Sequence, residues 1–178
     1  MNRSELYDDR EDRKWYVITT RPRAEKKVGR QLEQLGIGCF VPLQKQLRQW
    51  KDRKKWVEVP LLAPYVFVQV APQCRNEVFQ VPGVLKFVTV AGQPAMFSPE
   101  EVQRVRDICA SGFSVTIRYD HFDIGDEVEV MEGVLSGIRG RLTSEANGTR
   151  LNVLLSGIGC MASITIDRNI VRKISSKV

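Results

Sequence analysis

A single imidazole limits the chemistry open to this chain. His121 is the only histidine in 178 residues, and it sits beside Asp120 and Asp123. A Cys–His nucleophilic pair would need Cys39, Cys74, Cys109 or Cys160 brought next to it, and no spacing in the chain signals that arrangement. The four cysteines form no C-x-x-C pair, and one histidine leaves a Cys/His zinc site short of ligands. Gly133-Val134-Leu135-Ser136-Gly137 lacks the spacing of a nucleophile elbow, and Gly157-Ile158-Gly159 has no phosphate-loop lysine. The carboxylates Asp126, Glu127, Glu129 and Glu132 cluster, but alternation along a strand puts many of them on one solvated face. The expectation is a non-enzymatic protein with no catalytic residue, no metal and no cofactor.

Charge gives a more positive lead. The formal net charge is +6. Residues 15–60 hold eleven basic and four acidic side chains, whereas residues 61–120 and 121–178 are each balanced. The excess includes Arg21, Arg23, Lys26, Lys27 and Arg30, and then Lys51, Arg53, Lys54 and Lys55. A local basic block suits a polyanionic partner, because neutralised phosphates release their condensed counterions. Solvated charge on a helix face and a hairpin tip is the plainer alternative.

The elements that must position these groups can be read from pattern. Residues 15–20 are β-branched and aromatic and predict a strand. Pro22 suits the first turn of a helix, in which Ala24, Val28, Leu32 and Leu35 recur at helical spacing until Gly36 stops it. Arg23, Lys26, Lys27 and Arg30 fall on the opposite face. A short strand at 37–42 is closed by Pro42, and residues 43–50 and 56–59 flank a basic hairpin tip, Lys51 to Lys55. Strands are predicted at 65–70 and 84–90, with a short helix at 73–80 between them. Ser98-Pro99-Glu100-Glu101 has the order of a capping box with proline at the first helical position, opening a helix to Ala110 with Val102, Val105, Ile108 and Cys109 buried. This predicts an α+β domain, an antiparallel sheet flanked by helices, at 15–110 after a flexible tail at 1–14. Residues 111–122 read as a connector with strand character. Residues 123–174, punctuated by glycine and rich in Val, Ile and Leu, predict a small all-β barrel, followed by a tail at 175–178. No apolar run approaches the ~20 residues of a membrane span, and residues 1–14 lack a secretory apolar core, so a cytoplasmic protein with reduced thiols is expected; a monomer is expected as well.

Two segments carry a more specific signal. Trp15-Tyr16-Val17, Arg21-Pro22-Arg23-Ala24-Glu25-Lys26-Lys27-Val28, Phe40-Val41-Pro42, Asp52-Arg53-Lys54-Lys55, Pro60-Leu61, Tyr65-Val66-Phe67-Val68 and Val81-Pro82-Gly83-Val84 follow in order. Together they resemble the N-terminal (NGN) domain of the NusG family of transcription elongation factors. Gly125-Asp126, Val128, Val130, Glu132-Gly133-Val134-Leu135, Gly137 and Gly140 are similar to the KOW motif that begins the SH3-like C-terminal barrel of that family.

The resemblance implies a factor that binds RNA polymerase, bridging the clamp of the largest subunit and the β-subunit lobe. The clamp patch would match Thr19, Leu62, Tyr65 and Phe67, and the contact to the opposite lobe Arg75 and Asn76, with Glu77 beside them. Leu61-Leu62-Ala63-Pro64-Tyr65 departs from the family's Leu-Phe-Pro-Gly-Tyr, replacing an aromatic anchor by Leu62. Arg21, Arg23, Lys26, Lys27, Arg30 and Gln31 would face the non-template DNA strand, where cations position phosphates and carry little sequence information. The barrel would dock a small-subunit ribosomal protein or Rho through Val134, Leu135 and Ile138, where the family often has aromatics. The aliphatic loop and strand-like connector resemble specialised paralogues of the RfaH and UpxY kind, which act in antitermination at surface-polysaccharide operons. A housekeeping factor supporting pausing and Rho-dependent termination, and a ribosome-associated RNA-binding KOW protein, stand as alternatives.

Overall fold

The computed structural model describes residues 12–113, 115–118, 127–145, 148–155, 158, 160–166 and 171–174. Expectations resting on His121, on Gly125-Asp126, on Gly157 and Gly159 and on the two tails up to residue 11 and from residue 175 lie outside the described residues. Two compact units emerge, Met1–Pro42 with Leu62–Val102 and Leu43–Leu61 with Gln103–Val178.

The first unit is built on strand β1 (Lys14–Thr20), whose β-branched and aromatic residues are suited to burial on a pleated surface. It pairs antiparallel with β5 (Tyr65–Val70), β6 (Val84–Phe87) and the short β9 (Met96–Phe97), and β5 in turn pairs with β2 (Gly38–Phe40). One face of this sheet is closed by helix α1 (Glu25–Gln34): Tyr16, Ile18, Val66 and Val68 form a core with Val28 and Leu32. The two helix residues are fully buried, each burial stabilising by roughly 1.5–3 kcal/mol. On the other face Phe67, also fully buried, meets Phe40 at 5.8 Å and Phe97 at 5.4 Å between ring centroids.

Helix ends follow the sequence closely in two places and depart from it in one. Gly36, at φ +74°, lets the amides of Gly36 and Ile37 donate to the carbonyls of Glu33 and Leu32 at 2.9 and 3.0 Å, a Schellman closure. Leu35, expected on the buried stripe, is the C-cap and is exposed instead. In α2 (Pro99–Ala110) the Ser98 amide donates to Glu101 Oε2 at 2.8 Å and the Glu101 amide to Ser98 Oγ at 3.2 Å, which is the predicted capping box. Val102, Val105 and Ile108 of this helix are buried. The segment expected as a short helix is a 3₁₀ helix, Pro72–Gln80. The predicted strand 84–90 breaks after Phe87, where β7 (Thr89–Val90) turns back onto β8 (Gln93–Pro94).

The second unit contains the ribbon β3 (Leu43–Gln49) and β4 (Lys54–Pro60), the hairpin expected from the basic tip. It also contains a six-stranded antiparallel sheet in the order β10-β14-β13-β12-β11-β15. These strands are β10 (Val115–Arg118), β11 (Glu127–Val130), β12 (Arg139–Glu145), β13 (Gly148–Leu155), β14 (Cys160–Thr165) and β15 (Val171–Lys173). The strand character read in 111–122 is thus realised as β10, registered against Met161 to Ile164. The fold class is α+β followed by an all-β sheet, as the sequence predicts. Among the described residues no helix is long and apolar enough to cross a membrane.

Two substitutions test this packing. A Cβ at Gly140 would lie 2.5 Å from the Asn152 carbonyl oxygen and 2.9 Å from Leu151 Cδ1, so backbone must move to admit it. Gly140→Ala is expected to lower stability by about 1–3 kcal/mol, read as a lower urea midpoint. Leu62 has no exposed surface, so Leu62→Asp buries a carboxylate and is expected to cost on the order of 3 kcal/mol or more in thermal or urea melts.

Candidate nucleic-acid and partner interface

The basic face is set by the way β1 hands over to α1. At the end of β1 the Thr20 amide donates to the Pro64 carbonyl at 3.0 Å and the Arg21 amide to the Gly83 carbonyl at 2.8 Å, fixing where the chain leaves the sheet. It then turns: the Ala24 amide donates to the Arg21 carbonyl at 3.1 Å, Pro22 holds the second position, and Arg23 the third at φ +64°. That is the pattern of a type II turn, where glycine would be the unstrained choice at the third position. Pro22 is therefore a turn residue and not, as the sequence suggested, the first residue of the helix, because α1 begins three residues later with Ala24 as N-cap. Glu25, buried in the first turn, lies where the helix dipole favours a carboxylate.

Turn and helix bring the predicted cations together. Arg21, Arg23, Lys27 and Arg30 are exposed, the last two one helical turn apart, and Lys26 and Gln31 are half-buried. The Gln31 amide oxygen is buried with no hydrogen-bond partner, so only part of that side chain is at the surface. Gly29 is what lets the inner face close: a Cβ there would meet Val41 Cγ2 at 2.6 Å.

The expected apolar patch is reshaped. Thr19 and Tyr65 are opposite each other in register and half-buried. Leu62 and Phe67 have no exposure and offer no surface. Phe67 is held between two other aromatic rings, and Leu62 sits in the turn whose carbonyl accepts the Tyr65 amide at 2.7 Å. Arg75 is anchored rather than free to reach out: Nε donates to the Pro72 carbonyl at 2.9 Å and the guanidinium lies 5.7 Å from the centroid of the buried Tyr16 ring. Its neighbour Asn76 is exposed.

In the second unit the β11–β12 loop folds inward. The Gly137 amide donates to Val130 and the Ile138 amide to Leu135, at 2.8 and 3.0 Å. This turns Leu135 and Ile138 into the core, 1% and 4% exposed, and corrects their expected place on the docking loop. Val134 does face solvent, and so does Met131, which was not among the expected docking residues. Strand alternation beyond the buried Val130 would have found it. Glu127 is a solvated strand carboxylate, as expected, while Glu129 on the same face is half-buried. Glu127 pairs with Arg141 at 3.7 Å, and Glu129 with Arg139 at 3.9 Å and Arg172 at 3.6 Å. Beside them a groove of about 460 Å³ has Leu154, Met161 and Ile174 among its lining residues.

Two of the four thiols, Cys109 and Cys160, are poor nucleophiles. Burial pushes Cys109 up to about 12, against a smaller opposing effect of Arg106, and Cys160 up to about 11. Cys39 Sγ donates to the Gly29 carbonyl at 3.3 Å. Among the described residues no group of three His, Cys, Asp or Glu side chains could hold a metal ion.

Comparison with known proteins places these features in one family. Residues 13–106 match the family model described as NusG, transcription termination factor nusG. Over 158 residues the chain is 26% identical to the transcription termination/antitermination protein NusG of Chlamydia trachomatis serovar D, covering 82% of this chain and 86% of that protein. The corresponding protein of Chlamydia pneumoniae is 24% identical over the same coverage. A solved structure described as domain interaction in Thermotoga maritima NusG covers 93% of this chain and 99% of its own, with a TM-score of 0.57 at 24% identity. The chain belongs to the NusG family of transcription termination and antitermination factors.

Proposed function

We propose that this protein is a specialised, cytoplasmic and monomeric member of its family that binds RNA polymerase and promotes processive elongation and antitermination at selected operons, such as surface-polysaccharide loci. The observation that carries the reading is the group of exposed cations Arg21, Arg23, Lys27 and Arg30 on one turn and helix of a chain in this family. In this reading residues 15–110 engage polymerase: Thr19 and Tyr65 touch the clamp with Phe67 and Leu62 supporting them from beneath, and Asn76, with the anchored Arg75, meets the β-subunit lobe. The turn-helix cations, with Lys26 and Gln31 at their margin, track phosphates of the non-template DNA strand. Residues 123–174 serve as a docking module through Val134 and Met131, for a small-subunit ribosomal protein or Rho. A housekeeping role in pausing and Rho-dependent termination predicts the same polymerase contacts and differs in operon range.

The decisive measurement is in vitro transcription by purified polymerase on a template with pause and terminator sites. Added protein is expected to shorten pauses and raise readthrough; unchanged pausing together with no polymerase binding would refute the reading. Tyr65→Ala, which removes a half-exposed side chain, is expected to weaken polymerase binding by roughly tenfold while leaving the melting temperature within a few degrees. Reversing Arg21, Lys27 and Arg30 to Glu is expected to reduce the salt slope of binding to DNA-containing elongation complexes by about 0.7 for each phosphate no longer neutralised. Equal slopes for the variant and the parent protein would assign these cations to solvent alone.

A further inference from the structure

The β3–β4 ribbon is an exposed two-stranded segment, and its composition is unusual for a solvated hairpin. Its strands pair from Leu43↔Pro60 to Gln49↔Lys54, and every residue from Lys45 to Trp56 is exposed, so both faces of the ribbon meet solvent. Two of the three tryptophans of the protein lie here, Trp50 at 56% and Trp56 at 64% exposure, and Leu47, 48% exposed, stands directly across from Trp56. Around them are six cations, Lys45, Arg48, Lys51, Arg53, Lys54 and Lys55, against two carboxylates, Asp52 and Glu58. Arg48 and Lys55 are register partners, and like charges directly opposite each other weaken a ribbon. The geometry is nevertheless held. The Trp50 amide donates to the Arg53 carbonyl at 2.8 Å across the tip, and at the base the buried Gln44 donates through Nε2 to the Phe113 carbonyl at 2.8 Å.

Indole faces interleaved with cations match a ligand that offers flat π surfaces and phosphates together. A duplex stacks its bases internally and would leave both indoles in water. An unpaired strand offers each base face to an aromatic ring while its backbone runs past the cations. We propose that the β3–β4 ribbon is a binding site for single-stranded DNA, with Trp50 and Trp56 stacking on bases and Arg48, Lys51, Arg53, Lys54 and Lys55 neutralising phosphates. Stacking and phosphate contacts require no 2′-hydroxyl, so DNA is taken as the ligand and tighter binding of an RNA strand as the outcome that overturns it. The amide next to Trp50, Gln49 Nε2, donates to the Trp50 carbonyl at 3.0 Å. This site uses residues distinct from the turn-helix cations and does not require the polymerase contacts proposed above.

The test is fluorescence anisotropy of a labelled twelve-nucleotide thymidine strand with the full-length protein across a salt series. Trp50→Ala and Trp56→Ala are each expected to weaken binding roughly tenfold, with Trp56→Phe recovering most of the loss, and a duplex of equal length is expected to bind more weakly. Lys54→Gln with Lys55→Gln is expected to lower the salt slope by about 0.7 per phosphate released. Circular dichroism checks that these surface variants keep the parent fold. The proposal is overturned if the double tryptophan variant binds the strand as the parent does, if the duplex binds as tightly, or if a uridine strand binds more tightly than the DNA. It is also overturned if only the Arg21, Lys27 and Arg30 reversal abolishes strand binding. Polymerase affinity, measured separately on the tryptophan variants, distinguishes failure of this site from failure of the elongation-factor reading.

Discussion

The two-sided burial of β1 is the constraint on which the first unit depends. Its central residues have almost no exposure: Tyr16 and Ile18 pack toward α1, and Val17 toward the opposite face that holds Phe67. Three strands pair with it, so it cannot shift register by one residue without moving its apolar side chains to the wrong faces. The same strand delivers the basic turn. Because Thr20 and Arg21 are tied to Pro64 and Gly83, the cations that follow start from a fixed point. Interior packing and surface charge are therefore placed by one seven-residue strand.

The charge is concentrated where the fold has the fewest apolar obligations. Both basic groups, the turn-helix face and the ribbon, lie on elements that can spare a whole side to solvent. The six-stranded sheet uses its charges differently, as lateral carboxylate–arginine pairs between neighbouring strands. Such partly exposed pairs contribute roughly 0–1 kcal/mol each. The turn-helix face and the ribbon thus present cations to solvent with few carboxylates beside them, whereas the sheet sets carboxylate–arginine pairs along its strands and exposes Val134 and Met131 on its loop.

Local signals were legible because they act over three or four residues. The Schellman glycine at 36, the capping box at Ser98 and Glu101, and the hairpin around Lys51 to Lys55 are each decided by backbone geometry that neighbouring residues alone control. Pro22 misled because proline at the second position of a type II turn and proline at the start of a helix require the same φ, and only the positive φ of Arg23 separates them. Leu62, Phe67, Leu135 and Ile138 misled for a different reason. An apolar residue carries no mark of whether its neighbours in space are its own chain or a partner, and here they are its own chain.

Residue order was enough for the family, the succession of an α+β domain and a β-rich domain, the helix stops, and the concentration of positive charge in residues 15–60. These follow from residue type and short-range spacing, which survive without knowledge of any long-range contact. Folding in three dimensions was needed to establish which apolar residues are accessible, that the strand after α2 pairs with β14, and that the two ribbon tryptophans stand in solvent beside cations. Accessibility is a property of what packs over a side chain, and in this fold the packing partners, such as Phe40 and Phe97 around Phe67, come from distant parts of the chain.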